Sequence, residues 1–218
     1  MKVTYYLEVM SSWCYWAEPA WAELKARYSG RAEFDWKIAL MRPEDYPVSR
    51  EQCDWFYRRS GMIVRSPVML NSAWLEKGPN VTYTGADLVA EACKDFGFTD
   101  DRIRLALSHA SEIDGRKIGR MDEAVDVAAN ESGLQPKKLK SRAESAAVRS
   151  RVDASTAEFF SHRISQRPAF ILEDAIGDKA VFSGLVRVEP VAAAIDAMLA
   201  DTAAYAAYAA HFGAPPSK

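Results

Sequence analysis

Long apolar runs are scarce in this chain of 218 residues, and none approaches the roughly twenty residues a helix needs to cross a bilayer. A membrane partner is therefore not expected. Cysteine and histidine are scarce too, three of each. Cys14, Cys53 and Cys93 form an odd, scattered set with no close Cys or His pair, which argues against a disulfide framework and against a metal site. His109, His162 and His211 lack metal-ligand spacing and read as helix-surface or packing residues. Net charge is small as well, with 28 Lys and Arg against 30 Asp and Glu, so nothing draws the whole chain toward nucleic acid or anionic lipid. Its two compact basic runs, Arg58-Arg59 and Lys137-Lys138-Leu139-Lys140, read as solvated helix faces, and no nucleic-acid partner is expected. Neither an apolar leader nor a small-residue cleavage site precedes the first strand, and the thiols are unpaired, so the expected compartment is the cytoplasm. No internal repeat is visible.

What is present is an ample core, 49% of the residues being hydrophobic. That suffices for one sizeable core, or for a core with a substantial inserted subdomain. Val3-Thr4-Tyr5-Tyr6-Leu7-Glu8-Val9 is β-branched and aromatic and reads as a buried strand, with Glu8 expected to face outward. Trp21, Leu24 and Tyr28 then repeat as one helix face, and Gly30 stands where a helix would stop. Between strand and helix lies Met10-Ser11-Ser12-Trp13-Cys14, a polar, sulfur-bearing turn of the kind on which α/β proteins carry chemistry.

A second strand spans Ala32 to Leu40 and is ended by Arg42-Pro43; β-α-β in this length implies a right-handed crossover and a parallel pair. Helical signals dominate from there to about Ile164: Ser49 to Ser60 closed by Gly61, a helix capped by Thr84 and stopped at Gly97, one started by Thr99 with Asp100-Asp101, then Arg120 to Ser132, Pro136 to Ala143 and Ser145 to Arg163. Asn71 to Val81 reads as a loop. Pro168 to Glu173 and Lys179 to Gly184 form a hairpin about Gly177-Asp178. Pro190 is expected at the first position of a helix carrying Val191, Ile195 and Leu199, and Ala203 to Gly213 has high helix propensity with an evident stop.

This element order is that of an α/β thioredoxin fold with a helical domain inserted between the β-α-β half and the C-terminal β-β-α half. Four pieces carry a resemblance: Ser11-Ser12-Trp13-Cys14-Tyr15, Gly115-Arg116-Lys117-Ile118-Gly119, Arg167-Pro168-Ala169-Phe170 and Gly184-Leu185-Val186-Arg187. With them the chain resembles the DsbA-like superfamily, in particular the branch of FrnE-type DsbA proteins, 2-hydroxychromene-2-carboxylate isomerases and kappa-class glutathione transferases. The implied division is residues 1–42 and 165–218 as the thioredoxin-like domain and 43–164 as the inserted helical domain. Disulfide-exchanging members read C-P-W-C-Y at the turn, which sets their first cysteine on Ser11 and their second on Cys14; Pro19, five residues past Cys14, agrees with the kinking proline of such helices. The isomerase and kappa branch reads S-P-x-x-[YW] and suits Ser11 better.

A first-position cysteine works because a helix N-terminus stabilises its thiolate. Ser11 cannot form or exchange a disulfide, so the Ser11/Cys14 pair is no dithiol. Its hydroxyl can instead hold the sulfur of an arriving small thiol ionised. The resemblance thus implies Ser11 and Cys14 as catalytic residues, Ser12, Trp13, Arg167, Pro168 and Arg187 as contacts for thiol or substrate, no metal, and glutathione or a similar small thiol as cosubstrate. It also implies a cis peptide before Pro168. Arg167 replaces the usual valine and would favour an anionic ligand or else point to solvent. Val186 stands where an acid commonly holds the γ-glutamyl amine, a loss of about 1.5–3 kcal/mol for glutathione. Ser11 as a mere N-cap and Cys14 as a buried hydrophobe are the plain alternatives.

Trp13, Tyr15, Trp16 and Trp21 are expected mostly in the core, with some walling an apolar cleft alongside Trp55, Phe56 and Trp74; Cys53 and Cys93 read as structural thiols. The leading expectation is an enzyme that uses the bound thiol to isomerise or conjugate a small aromatic substrate. Two others stay open: an oxidoreductase working through the single thiol of Cys14, and a non-catalytic binding module. A homodimer stays open as well.

Overall fold

The computed structural model describes residues 1–71 and 83–213. Four strands, β1 (Lys2–Leu7), β2 (Glu33–Ile38), β3 (Ala169–Glu173) and β4 (Lys179–Ser183), form one sheet in the order β2-β1-β3-β4. β1 and β2 are parallel, with Lys2 opposite Glu33, and β3 runs antiparallel to both β1 and β4. Helix α1 (Ser12–Arg27) makes the crossover, and α8 (Val188–Phe212) closes the chain. Between β2 and β3 come α2 (Arg50–Ile63), α3 (Gly85–Cys93), α4 (Arg102–Glu112), α5 (Met121–Ser132), α6 (Pro136–Ala143) and α7 (Ala146–Ser161). The α/β thioredoxin fold with a helical insertion is thereby realised.

Alternation in β1 explains how the sheet is covered on both faces. Val3, Tyr5 and Leu7 enter the main core with Trp21, Leu24 and Phe170, whereas Tyr6 turns to the other face and meets Phe159 of α7, Ala169 and Ile171. The main core continues without a break through Leu88, Val125, Leu139 and Val152 of the insertion. Insertion and frame thus bury their apolar faces against one another instead of forming two separate cores.

Some boundaries differ from the sequence reading. α2 passes through Gly61 to Ile63, because Gly61 is not among the glycines whose backbone turns left-handed and so does not act as a stop. α3 ends at Cys93 and tightens into a 3-10 turn before Gly97 takes a left-handed φ of 89°. Thr84 occupies the cap position without a side-chain cap bond. α8 starts at Val188, so Pro190 is its third residue, where a missing N–H is still harmless. The Ala- and Tyr-rich tail continues α8 as one helix to Phe212. The loop expected at Asn71 to Val81 lies almost wholly outside the described residues.

Candidate functional site

The end of β1, the start of α1 and the loop before β3 meet at one point of the fold. Ser11 is the N-cap of α1, extended at φ −84° and ψ 116°, and its Oγ accepts from the Cys14 amide at 3.3 Å. The Ser11 amide donates to the Glu8 carbonyl at 3.1 Å. The amides of Ser12 and Trp13, first in the helix, have no carbonyl one turn earlier to reach, and no acid occupies the first turn of α1 to neutralise its positive pole. The Trp13 indole donates to the Gly184 carbonyl at 3.0 Å and so braces this helix end against the loop after β4.

Cys14 faces the opposite way. It is 2% exposed and sits among the core residues, and burial pushes its thiol up to about 12 against the opposing pull of Ser11 and the neighbouring backbone. At neutral pH it is a neutral thiol inside the molecule.

The Arg167–Pro168 peptide is cis, as the resemblance implied. Arg167 does not point to solvent. It is 7% exposed, donates to the carbonyls of Ala39, Leu40 and Ser165, and lies over the Phe159 ring with 4.6 Å to its centre. Its guanidinium therefore ties the loop before β3 to the end of β2. Desolvation lowers its pKa, with Glu8 the largest opposing influence.

Glu8, expected to face outward, is fully buried. It follows the last residue of β1, and there it meets Asp87 of α3. Tyr46 donates to Glu8 Oε1 at 3.4 Å, and the Val9 amide donates to Asp87 Oδ1 at 3.1 Å. Desolvation and the adjacent Asp87 carboxylate hold the Glu8 carboxyl well above the usual range. Asp87 itself is raised to about 6, chiefly by burial. Glu8 Oε2 and Asp87 Oδ2 are both buried without a hydrogen-bond partner, so each carboxyl carries an unoffset cost for its charged form.

A cleft of about 460 Å³ opens over the α1 N-terminus, and Ser11, Ser12, Trp13 and Arg167 all line it. Its far wall comes from the insertion: Phe56, Tyr57 and Arg59 on α2, with Tyr46 and Tyr83 stacked at 4.6 Å. Cys53, expected only as a structural thiol, also lines this wall, although it is 3% exposed. Cys93 is the buried core thiol expected.

The remaining expected contacts lie elsewhere. Arg187 is exposed at the cap of α8 and does not line the cleft. Trp16 joins α1 to α2 by donating to Ser60 Oγ at 3.0 Å, and Trp21 is core, donating to Asp101 at 3.1 Å. Trp55 is 56% exposed beside the cleft, and Trp74 lies outside the described residues. Among the described residues no group of His, Cys, Asp and Glu is assembled to hold a metal, and no helix is long and apolar enough to cross a membrane. Sequence reasoning missed Tyr46 and Asp87, which no local motif marks, and read Arg59 only as part of a solvated basic run, whereas it lines the cleft; Glu8, a lone acid beside an apolar strand, was the visible signal for the buried pair.

Neither protein-family models nor curated protein sequences produced a match to the chain. Solved structures did. A candidate protein disulfide isomerase from Nitrosomonas europaea superposes with a TM-score of 0.70 at 16% identity, over 92% of this chain and 96% of its own. The cytosolic disulfide reductase DsbM from Pseudomonas aeruginosa gives 0.65 at 16% identity, over 94% and 98%, and has also been solved with glutathione. A 2-hydroxychromene-2-carboxylate isomerase gives 0.62 at 13% identity, over 94% and 99%. The fold is thus the one these structures share, a thioredoxin fold with a helical insertion.

Proposed function

We propose that this protein is an enzyme that binds a small thiol, glutathione or a relative, with its sulfur at Ser11 and the α1 N-terminus, and uses it to isomerise or conjugate a small aromatic substrate held in the adjoining cleft. The observation that carries this reading is the position of Ser11. A hydroxyl stands where a disulfide oxidoreductase of this fold would need its attacking sulfur, and it faces an open cleft while Cys14 is buried behind it.

The chemistry follows from the geometry. A thiolate placed at the cleft end would meet the Ser12 and Trp13 amides, the positive pole of α1 and a hydroxyl able to donate, all of which favour the ionised sulfur. Ser11 Oγ already accepts from Cys14, so its own proton is free to point outward. The aromatic wall supports a flat apolar substrate. That a DsbM structure has been solved with glutathione is in keeping with a thiol ligand. A single-thiol oxidoreductase is disfavoured, since a sulfur titrating near 12 supplies almost no thiolate at neutral pH. A purely non-catalytic module is disfavoured by the cleft being open instead of filled by the chain's own side chains.

Thermal-shift titration with glutathione tests the proposal. At a hundredfold excess over Kd the wild type gains about 2.7 kcal/mol, and Ser11→Gly, which preserves most of the cap's stability, loses that gain. No shift for the wild type, or an equal shift for Ser11→Gly, would refute it.

A further inference from the structure

α8 outruns the body that holds it. Its first half is seated on the frame: Val191, Ala192, Ile195 and Met198 are buried, the Tyr28 hydroxyl at the end of α1 donates to the Ala192 carbonyl at 2.9 Å, and Arg27 of α1 pairs with Asp196 at 2.6 Å. Thr202 makes the last bond out of the helix, from its Oγ1 to Asp174 at 3.5 Å. From Ala203 to Phe212 every residue is exposed. Among the described residues, the ring contacts of this stretch stay within it, Tyr208 and His211 both against Phe212.

The helix keeps its apolar face where the body ends. Val191, Met198, Tyr205 and Phe212 recur at every second turn and share one stripe, with Tyr208 beside it. The first two members of that stripe are core, whereas Tyr205, Tyr208 and Phe212 are 64%, 65% and 67% exposed. Thr202 to Gly213 contains no Asp, Glu, Lys or Arg. An interfacial membrane helix would carry cations for anionic headgroups, and this one has none. A second copy of the same stretch brings no like charge against it, and its alanines let two helices approach closely between the rings.

We infer that the free end of α8 is a self-association surface, on which two copies of the chain pair their helix ends about a two-fold axis. The direction of pairing follows from what is already covered. A parallel mate would lay its own first half along ground that α1 occupies, so only an antiparallel mate, overlapping the free ends alone, fits. Such a pair is isologous, with Tyr205 opposite Phe212 of the partner subunit and the axis near Ala209. Two-thirds of three aromatic side chains is about 400 Å² per chain. With the alanines between them the pair would bury about 1,000 Å², the low end for a specific interface, so the dimer is weak and concentration-dependent. None of these residues lines the cleft, and the inference stands apart from the thiol reading.

Sedimentation equilibrium of the full chain over about 1–300 μM tests it. The wild-type mass climbs from 24.3 kDa toward twice that value. Tyr208→Lys/Phe212→Lys stays monomeric throughout and keeps the wild-type circular dichroism, because both rings already face water. Met62→Lys, on the exposed apolar part of α2, dimerises as the wild type does. Under diamide, Ala209→Cys, on the stripe, gives a disulfide-linked dimer, whereas Ala207→Cys, on the opposite face, does not; the native cysteines are buried. A wild type that remains monomeric would overturn the inference, and its co-sedimentation with phosphatidylcholine vesicles would assign the stripe to lipid instead. Unchanged dimerisation in the double Lys variant, loss of the dimer in Met62→Lys, or equal cross-linking at positions 207 and 209 would overturn it as well.

Discussion

A hydroxyl at position 11 and a buried thiol at position 14 share one helix turn yet live in different solvents. Ser11 caps α1 at the edge of the cleft, and Cys14, three residues on, points into the core. Ser11→Cys should therefore turn the site into a disulfide-exchanging one: a cysteine at the N-cap position gains the helix field that lowers its pKa below the usual value near 8.5, with Cys14 one turn away as its partner. Equilibration with oxidised glutathione followed by mass spectrometry should find the introduced thiol joined to Cys14 in an intramolecular disulfide. Two free thiols after that treatment would mean the turn cannot support the chemistry of its frame. Glu8 invites a second residue-scale experiment. Glu8 and Asp87 both hold protons more tightly folded than unfolded, so ionisation favours the unfolded chain. Their stabilising contribution is complete below pH about 4; it declines as pH rises through about 6 for Asp87, and further still as Glu8 ionises. Glu8→Gln keeps the shape of the side chain and removes one titration, so the urea midpoint measured from pH 4 to 8 should fall less steeply in the variant. An unchanged slope would show that ionisation of Glu8 is not linked to unfolding in this range.

At the scale of elements, the insertion holds its own helices together through a close approach that a single added methyl would block. A Cβ on Gly85, at the start of α3, would stand 2.7 Å from the Gly119 carbonyl oxygen and 2.9 Å from the Arg120 carbonyl carbon. Backbone cannot yield there as a flexible side chain would, so Gly85→Ala should lower stability by about 1–3 kcal/mol in chemical denaturation. Gly61→Ala has ordinary contact distances of 3.8 Å to Trp16 and to the Val68 carbonyl, and in mid-helix it should be neutral or mildly stabilising. Every helix of the described chain was legible from periodicity and caps, because those are local. The misplaced ends at Gly61 and Pro190 have local causes: a glycine marks a stop only where its backbone turns left-handed, which Gly61 does not, and a proline is harmless anywhere in a first turn that already lacks the bond. The inward turn of Glu8 was illegible for a related reason. Glu8 lies just past the end of β1, where strand alternation no longer fixes its direction, and only the arrival of α3 with Asp87 makes its surroundings an interior.

Across the whole molecule, α1 is joined to the insertion by a buried ionic cluster. Arg104 of α4, 1% exposed at its side chain, lies 2.5 Å from Glu18 and 2.6 Å from Asp101, and Lys25 also pairs with Asp101. Arg104→Leu would leave the mostly buried Glu18 without its cation, and Asp101 with Lys25 alone as cation, and should cost about 3–5 kcal/mol, whereas Arg27→Ala, which removes an exposed pair with Asp196, should cost under about 1 kcal/mol. Such a contrast in urea unfolding would locate where the frame and its insertion are held together. The sequence by itself determined the order of the elements, the cap at Ser11, the burial of Trp21, Leu24 and Tyr28, and the absence of a dithiol, since each follows from neighbours along the chain or from composition. Only the tertiary structure decided that Arg167 turns inward onto backbone carbonyls, that Glu8 pairs with Asp87, that Arg187 stays out of the cleft, and that Cys53 and Arg59 enter its wall. Those outcomes depend on residues far apart in the chain arriving at one place, where desolvation and charge pairing are set by whichever side chains meet.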